Sequence, residues 1–117
     1  MQIQSIILVS NYSNDQIPAE FTYSSKQPGA GYHNGNDGVH TAVYELYEFS
    51  GTVKIQATLA LYPGDNDWFD ISKSVLGGDS TVIGTMTTFY SFSGKFVWIR
   101  AAYQLDQGTI THIRFSV

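Results

Sequence analysis

Thr52-Val53-Lys54-Ile55-Gln56-Ala57-Thr58-Leu59-Ala60-Leu61 is the stretch that decides the fold. Val53, Ile55, Ala57, Leu59 and Leu61 fall on one side, while Thr52, Lys54, Gln56 and Thr58 fall on the other. A period of two over this length is the signature of a strand with one face in a core and one in water. The neighbouring sequence repeats the signal. Val39 to Phe49 reads as a strand closed by Ser50-Gly51, and Pro63-Gly64-Asp65-Asn66 reads as the turn after Leu61. Further strands are expected at Ile3–Val9, Ala19–Ser24, Trp68–Ser72, Thr81–Tyr90, Phe96–Tyr103 and Thr109–Val117. Gly77-Gly78-Asp79, Ser93-Gly94 and Asp106-Gln107-Gly108 supply the turns between the later ones. With about eight strands and no crossover helices, the expected fold is all-β, a single antiparallel β-sandwich with a jelly-roll-like arrangement.

Composition agrees. The chain has 117 residues, which accommodates one domain over residues 1–117. Hydrophobic residues make up 43% and charged ones 14%, too apolar for a disordered segment. Aromatic residues reach 15%, as suits the faces of sheets. A net charge of −4 with only six Lys and Arg speaks against nucleic acid and anionic membranes as partners, since both demand clustered cations. Without cysteine there is neither a disulfide framework nor a thiolate site, which fits assembly in a reducing cytoplasm. No export signal and no run of the ~20 apolar residues of a membrane helix is read in the chain.

Chemistry-bearing groups are sparse. His33, His40 and His112 are the residues able to exchange protons near neutral pH. Placed in a loop and two separate strands, they read as solvated or hydrogen-bonded rather than metal-binding. Asp65, Asp67 and Asp70, with Asn66 between them, offer oxygen ligands of the kind calcium takes. They lack the spacing of a calcium loop, and turn capping is the expected role. No serine sits in a nucleophile elbow, and Gly29, Gly31, Gly35 and Gly38 border no strand-to-helix junction that would cradle a phosphate. The chain therefore reads as non-enzymatic, with no cofactor or metal.

Surface recognition is the remaining reading. On Phe96–Tyr103, Val97, Ile99 and Ala101 take one face and Phe96, Trp98 and Arg100 the other. Such a strand is either central or covered by another chain. Arg100 is placed to stack on Trp98 or to pair with an acid such as Asp70. The segment Ser24–Gly38 is a long Gly- and Asn-rich loop of the sort that binds partners. Expected partner contacts are Tyr32, His33, Asn34 and Asn36 in that loop, with Trp98 and Arg100.

Two longer strings carry a resemblance. Asp37-Gly38-Val39-His40-Thr41 leads through Phe49-Ser50-Gly51-Thr52-Val53-Lys54-Ile55-Gln56-Ala57-Thr58-Leu59 to Asp67-Trp68-Phe69-Asp70-Ile71. Phe92-Ser93-Gly94-Lys95-Phe96-Val97-Trp98-Ile99-Arg100-Ala101 is followed by Gly108-Thr109-Ile110-Thr111-His112-Ile113. Together they resemble small virion structural proteins of tailed bacteriophages, of the marine and cyanobacterial type. The resemblance implies a β-sandwich in a virion assembled in the host cytoplasm, most simply a capsid decoration protein bound to other virion proteins and forming a homo-oligomer. The residues of these strings themselves read as fold determinants, Trp68 and Trp98 as core aromatics and Gly51, Gly94 and Gly108 as turn glycines. Placement at the tail, neck or fibre is the alternative within that class. A carbohydrate-binding module using Trp68, Trp98 or Tyr32 is the alternative outside it.

Overall fold

The computed structural model describes residues 5–13, 21–29 and 39–116. Among these residues seven strands form one sheet: β1 (Ser5–Ser13), β2 (Thr22–Tyr23), β3 (Gln27–Pro28), β4 (Val39–Thr58), β5 (Phe69–Asp70), β6 (Leu76–Ser93) and β7 (Trp98–Ser116). Every pairing is antiparallel.

Three of these strands are too long to be straight. The 20 residues of β4 would span about 66 Å at ~3.3 Å per residue, whereas the longest dimension of the molecule is 40 Å. The strand bends at a run of bulges. Register against β7 shifts between Tyr47 and Gly51, and register against β6 shifts between Leu46 and Thr52. Glu48 and Gly51 take positive φ there, and Gly108 does so on β7 alongside. A methyl on Gly51 would collide with the Gln104 carbonyl, and one on Gly108 with the Glu48 carbonyl. Close approach of two bulged backbones is what requires glycine at both positions.

The bend folds one sheet into two facing layers. In the first, β1 pairs with the C-terminal half of β7, which pairs with the N-terminal half of β4, which pairs with β6. In the second, β2 and β3 pair with the N-terminal half of β7, then comes the C-terminal half of β4, then β5. Taking β2 with β3 and counting the halves of β4 and β7 separately gives eight stretches. Their orders are 1-8-3-6 and 2-7-4-5, the paired Greek keys of a jelly roll.

The core lies between the layers. Ala42, Tyr44, Leu46, Ile110, Ile113 and Phe115 of the first meet Val53, Ile55, Ala57, Ile99, Ala101 and Leu105 of the second. The rings of Tyr12 and Tyr103 touch edge-on at 4.8 Å between centroids. Tyr44 carries a hydroxyl into this core and donates it to the Ser74 carbonyl at 2.7 Å. The Ser74 hydroxyl in turn accepts the Ile55 N–H at 2.8 Å and donates to the Ile71 carbonyl at 2.6 Å. Burial raises the Tyr44 phenol well above its ordinary value, which keeps it a donor.

Several local expectations are corrected. Ser50-Gly51 and Asp106-Gln107-Gly108 are bends inside continuous strands rather than turns, and residues 77–79 belong to β6. A chain that must switch layers without leaving its neighbours bulges instead of turning, and glycine serves both conformations. The alternation from Val53 stops at Thr58, so Leu59 and Leu61 lie exposed beyond the strand end. Trp68 and Trp98 are half-buried on an outer face, not in the core. His40 is buried, stacked on Phe92 at 5.0 Å.

Ile55→Ala should lower the unfolding free energy by about 2–5 kcal/mol, the usual cost of emptying a packed site. Leu59, 66% exposed, should cost less than about 1 kcal/mol on the same change. Chemical denaturation of the two variants checks this, and a larger loss at Leu59 than at Ile55 contradicts the placement of the core.

Candidate functional site

The outer face of the second layer carries the densest constellation of interacting side chains. Alternation along β4 sends Val53, Ile55 and Ala57 inward, which leaves Lys54 and Gln56 outside. Register places Gln56 opposite Asp70 of β5 on one side and Arg100 of β7 on the other. Three polar residues on neighbouring strands thus form one cross-strand row. Gln56 bridges it: its Nε2 donates to Asp70 Oδ1 at 2.9 Å, and its Oε1 accepts from Arg100 Nε at 2.9 Å. Lys54 Nζ completes the network with an ion pair to Asp70 Oδ2 at 2.9 Å.

Arg100 is held by rings as well. Its guanidinium carbon lies 4.0 Å from the Tyr23 ring centroid and 4.2 Å from that of Trp68. Tyr23 is there because β2 sets it opposite Ala102 in the row next to Arg100. Around it, Ser24 clips the segment to β7 by donating its N–H to the Ala101 carbonyl at 2.9 Å and accepting the Ala101 N–H on its hydroxyl at 2.8 Å. Two further cations cover rings nearby: Lys54 Nζ lies 4.5 Å from the Phe21 centroid, and Lys26 Nζ lies 5.0 Å from that of Trp98. Trp98 Nε1 donates to the Leu61 carbonyl at 3.0 Å, which pins the segment after β4 at the border of the patch. There Leu59, Leu61 and Tyr62 stand exposed.

Electrostatics follow from this packing. Burial by itself raises the Asp70 carboxyl, but the hydrogen bonds from Gln56 and Lys54 and the charge on Lys54 outweigh it and hold the group below its usual range. Burial among the rings lowers the Arg100 guanidinium, with Tyr23 and Asp65 opposing the change. Arginine begins so high that it stays charged at neutral pH. A planar cation between two aromatic rings, fixed by a neutral amide, presents an ordered surface of Tyr, Trp and Arg.

Of the residues expected to contact partners, Arg100 is at the centre of this patch and Trp98 at its border. Arg100 stacks on Trp68 and Tyr23 rather than on Trp98, and Asp70 is taken by Lys54. Tyr32, His33, Asn34 and Asn36 lie outside the described residues. Of the other titratable candidates, Asp65 reaches the patch through its charge on Arg100, His33 lies outside the described residues, and the rest do not join it. His40 is in the core, and His112 Nδ1 meets Glu45 Oε2 at 3.0 Å on the outer face of the first layer. Asp67 caps the Gly64 N–H at 2.7 Å. Among the described residues no three His, Asp or Glu side chains gather as a metal-ligand set, and no helix is long and apolar enough to cross a membrane.

Tyr23, Gln56 and Lys54 were not singled out from sequence. The alternation of Thr52–Leu61 did mark Lys54 and Gln56 as outward-facing, but nothing along the chain revealed that β7 and β5 bring Arg100 and Asp70 beside them.

Arg100→Lys keeps the charge and loses the flat double stack, and should cost about 1–2 kcal/mol of stability. Because the Asp70 pKa is lower in the folded chain than in the unfolded one, its pairing stabilises the fold above about pH 4. That increment disappears as the pH falls through the folded-state value. Asp70→Asn should therefore melt below the parent at neutral pH and converge with it in acid; a constant difference across pH would contradict the pairing. Comparison of the chain with protein-family models, with curated proteins and with solved structures found no match.

Proposed function

We propose that this domain is a non-enzymatic virion structural protein of a tailed bacteriophage. In this reading it is a capsid decoration protein that docks through the outer face of its second layer onto another protein of the particle. The observation that carries the proposal is the Tyr23–Arg100–Trp68 stack. Tyr, Trp and Arg are the residues that dominate binding energy at protein interfaces. Held in place before any partner arrives, they lose little side-chain freedom on docking. Exposed Leu59, Leu61 and Tyr62 beside the stack extend it with apolar surface. The two strings that resemble phage virion proteins also run through this face, contributing Lys54, Gln56, Trp68, Asp70, Trp98 and Arg100. Jelly rolls occur among capsid proteins and lectins, an analogy at the level of fold alone.

A specific observation favours a second reading. Trp68, Trp98 and Tyr23 occupy an outer face with polar groups beside them, as a sugar platform requires. Two features weigh against it. The ring faces of Tyr23 and Trp68 that meet Arg100 are occupied by its guanidinium, and the Gln56 and Asp70 side chains already bond to their neighbours.

The test is particle binding by folded variants. Trp68→Ala and Tyr23→Ala should each weaken attachment to purified particles at least about 30-fold, as loss of a hot-spot residue does. Decoration unchanged in both variants would refute docking through this face. Loss of glycan binding in the same variants, with decoration intact, would establish the carbohydrate reading instead.

A further inference from the structure

The edges of the two layers are treated unequally. On β1, a register shift between Ile7 and Val9 and the positive φ of Asn11 disrupt the edge. β2, β3 and β5 are two residues each, accompanied by Lys26, Pro28 and Asp70. Bulges, short strands, charges and proline are the devices by which proteins prevent edge-to-edge pairing. β6 has none of them along its second half. Among the described residues it pairs with β4 alone, in an unbroken register from Leu46/Met86 to Val39/Ser93. From Ser80 to Gly94 the sequence holds no Asp, Glu, Lys, Arg or Pro and is rich in Thr, Phe and Tyr. Such a segment pairs readily with another strand.

We infer that the Met86–Ser93 edge of β6 is a self-association site, at which a second copy of this chain adds its own β6 antiparallel across a two-fold axis. The charge pattern selects that occupant. The edge offers a foreign charged strand no counter-charge, whereas its own copy meets it neutral on neutral, and an isologous contact needs only one self-complementary surface. Side-chain directions agree. Thr85, Thr87, Phe89, Ser91 and Ser93 point outward and are exposed, while Met86, Thr88 and Tyr90 point inward and stay half-buried for want of a flanking strand. With the axis at Phe89, which is 66% exposed, its ring meets Phe89 of the partner subunit. Thr87 then lies opposite a serine at position 91, and the two inward faces cover each other's Met86 and Tyr90.

The neighbouring strands supply a core and a rim. Register sets Val43 beside Phe89, then Arg114, then Ile7. Across the axis this row places Val43 and Phe89 of both copies in an apolar centre flanked by one Arg114 on each side, the usual distribution at interfaces. The first layer then continues without interruption from one copy into the next. This contact lies on the layer opposite the Arg100 patch and does not depend on the docking function proposed for that patch.

Sedimentation of the isolated chain from about 1 µM to 1 mM tests the inference. The parent chain should form a dimer. Phe89→Lys should be monomeric with its melting temperature otherwise that of a monomeric fold, because two like charges meet at the axis. Phe89→Glu should be monomeric for the same reason, and an equimolar mixture of the two variants should dimerise again. Thr87→Lys serves in place of Phe89→Lys where that variant does not fold. A parent chain that remains monomeric throughout, dimers that survive every charged substitution, or mixed variants that fail to recombine would each overturn the proposal. Particle attachment by the Phe89 variants separates this outcome from failure of the Arg100 face, which those substitutions do not touch.

Discussion

The close passage of two bulged backbones, Glu48–Gly51 on β4 against Gln104–Gly108 on β7, is the constraint on which the molecule rests. Both strands are central, and both must leave one layer and enter the other at the same level. Were only one of them to bend, the ladder between them would break and the core would open. Glycine at 51 and 108 removes the methyl groups that would otherwise strike the opposite carbonyls, so the two strands bend while keeping their pairing on both sides. Everything inward of the bend is then a shared core, and everything outward is one of two independent faces.

Those faces differ in character because the strands feeding them differ. The first layer shows rows of hydroxyls in contact, such as Thr41 with Ser91 at 3.0 Å and Ser13 with Thr109 at 3.0 Å, and pairs Glu45 with His112. The second collects cations and rings. Lys26, Lys54 and Arg100 each cover an aromatic ring, and half of the chain's six Lys and Arg are thereby spent on one surface. Solvent-facing ion pairs alone would contribute little. Stacking a guanidinium between two rings while an amide fixes its Nε gives orientation as well as energy.

How much of this was legible in the sequence depended on the range of the interaction. Alternation in Val53–Ala57 and in Val97–Ala101 identified core faces correctly, since burial on a pleated strand is a matter of period alone. The same alternation overran at Leu59 and Leu61, because apolar spacing continues where the ladder has ended and only the position of the partner strand decides the boundary. Glycines at 51 and 108 were recognised as punctuation, but glycine permits a turn and a bulge equally, and the choice is made by the strand alongside. The Arg100 site was half legible. Residue types in β7 signalled a functional face, yet its partners Tyr23, Gln56 and Trp68 come from three other segments whose register has no local signature.

β7 has a consequence for how the chain is made. It is a central strand of both layers, pairing with β1 and β4 in one and with β2, β3 and β4 in the other. Among the described residues, β1, β2 and β3 have no pairing partner until β7 is available, while the β4–β6 and β4–β5 pairings can form without it. Neither layer can therefore close during synthesis before β7, through Ser116, has left the ribosome. Contacts as distant as Ser5 with Ser116 must then be made in one late step, which places the domain among slowly folding, high-contact-order proteins and leaves a bare hairpin waiting in the crowded cell.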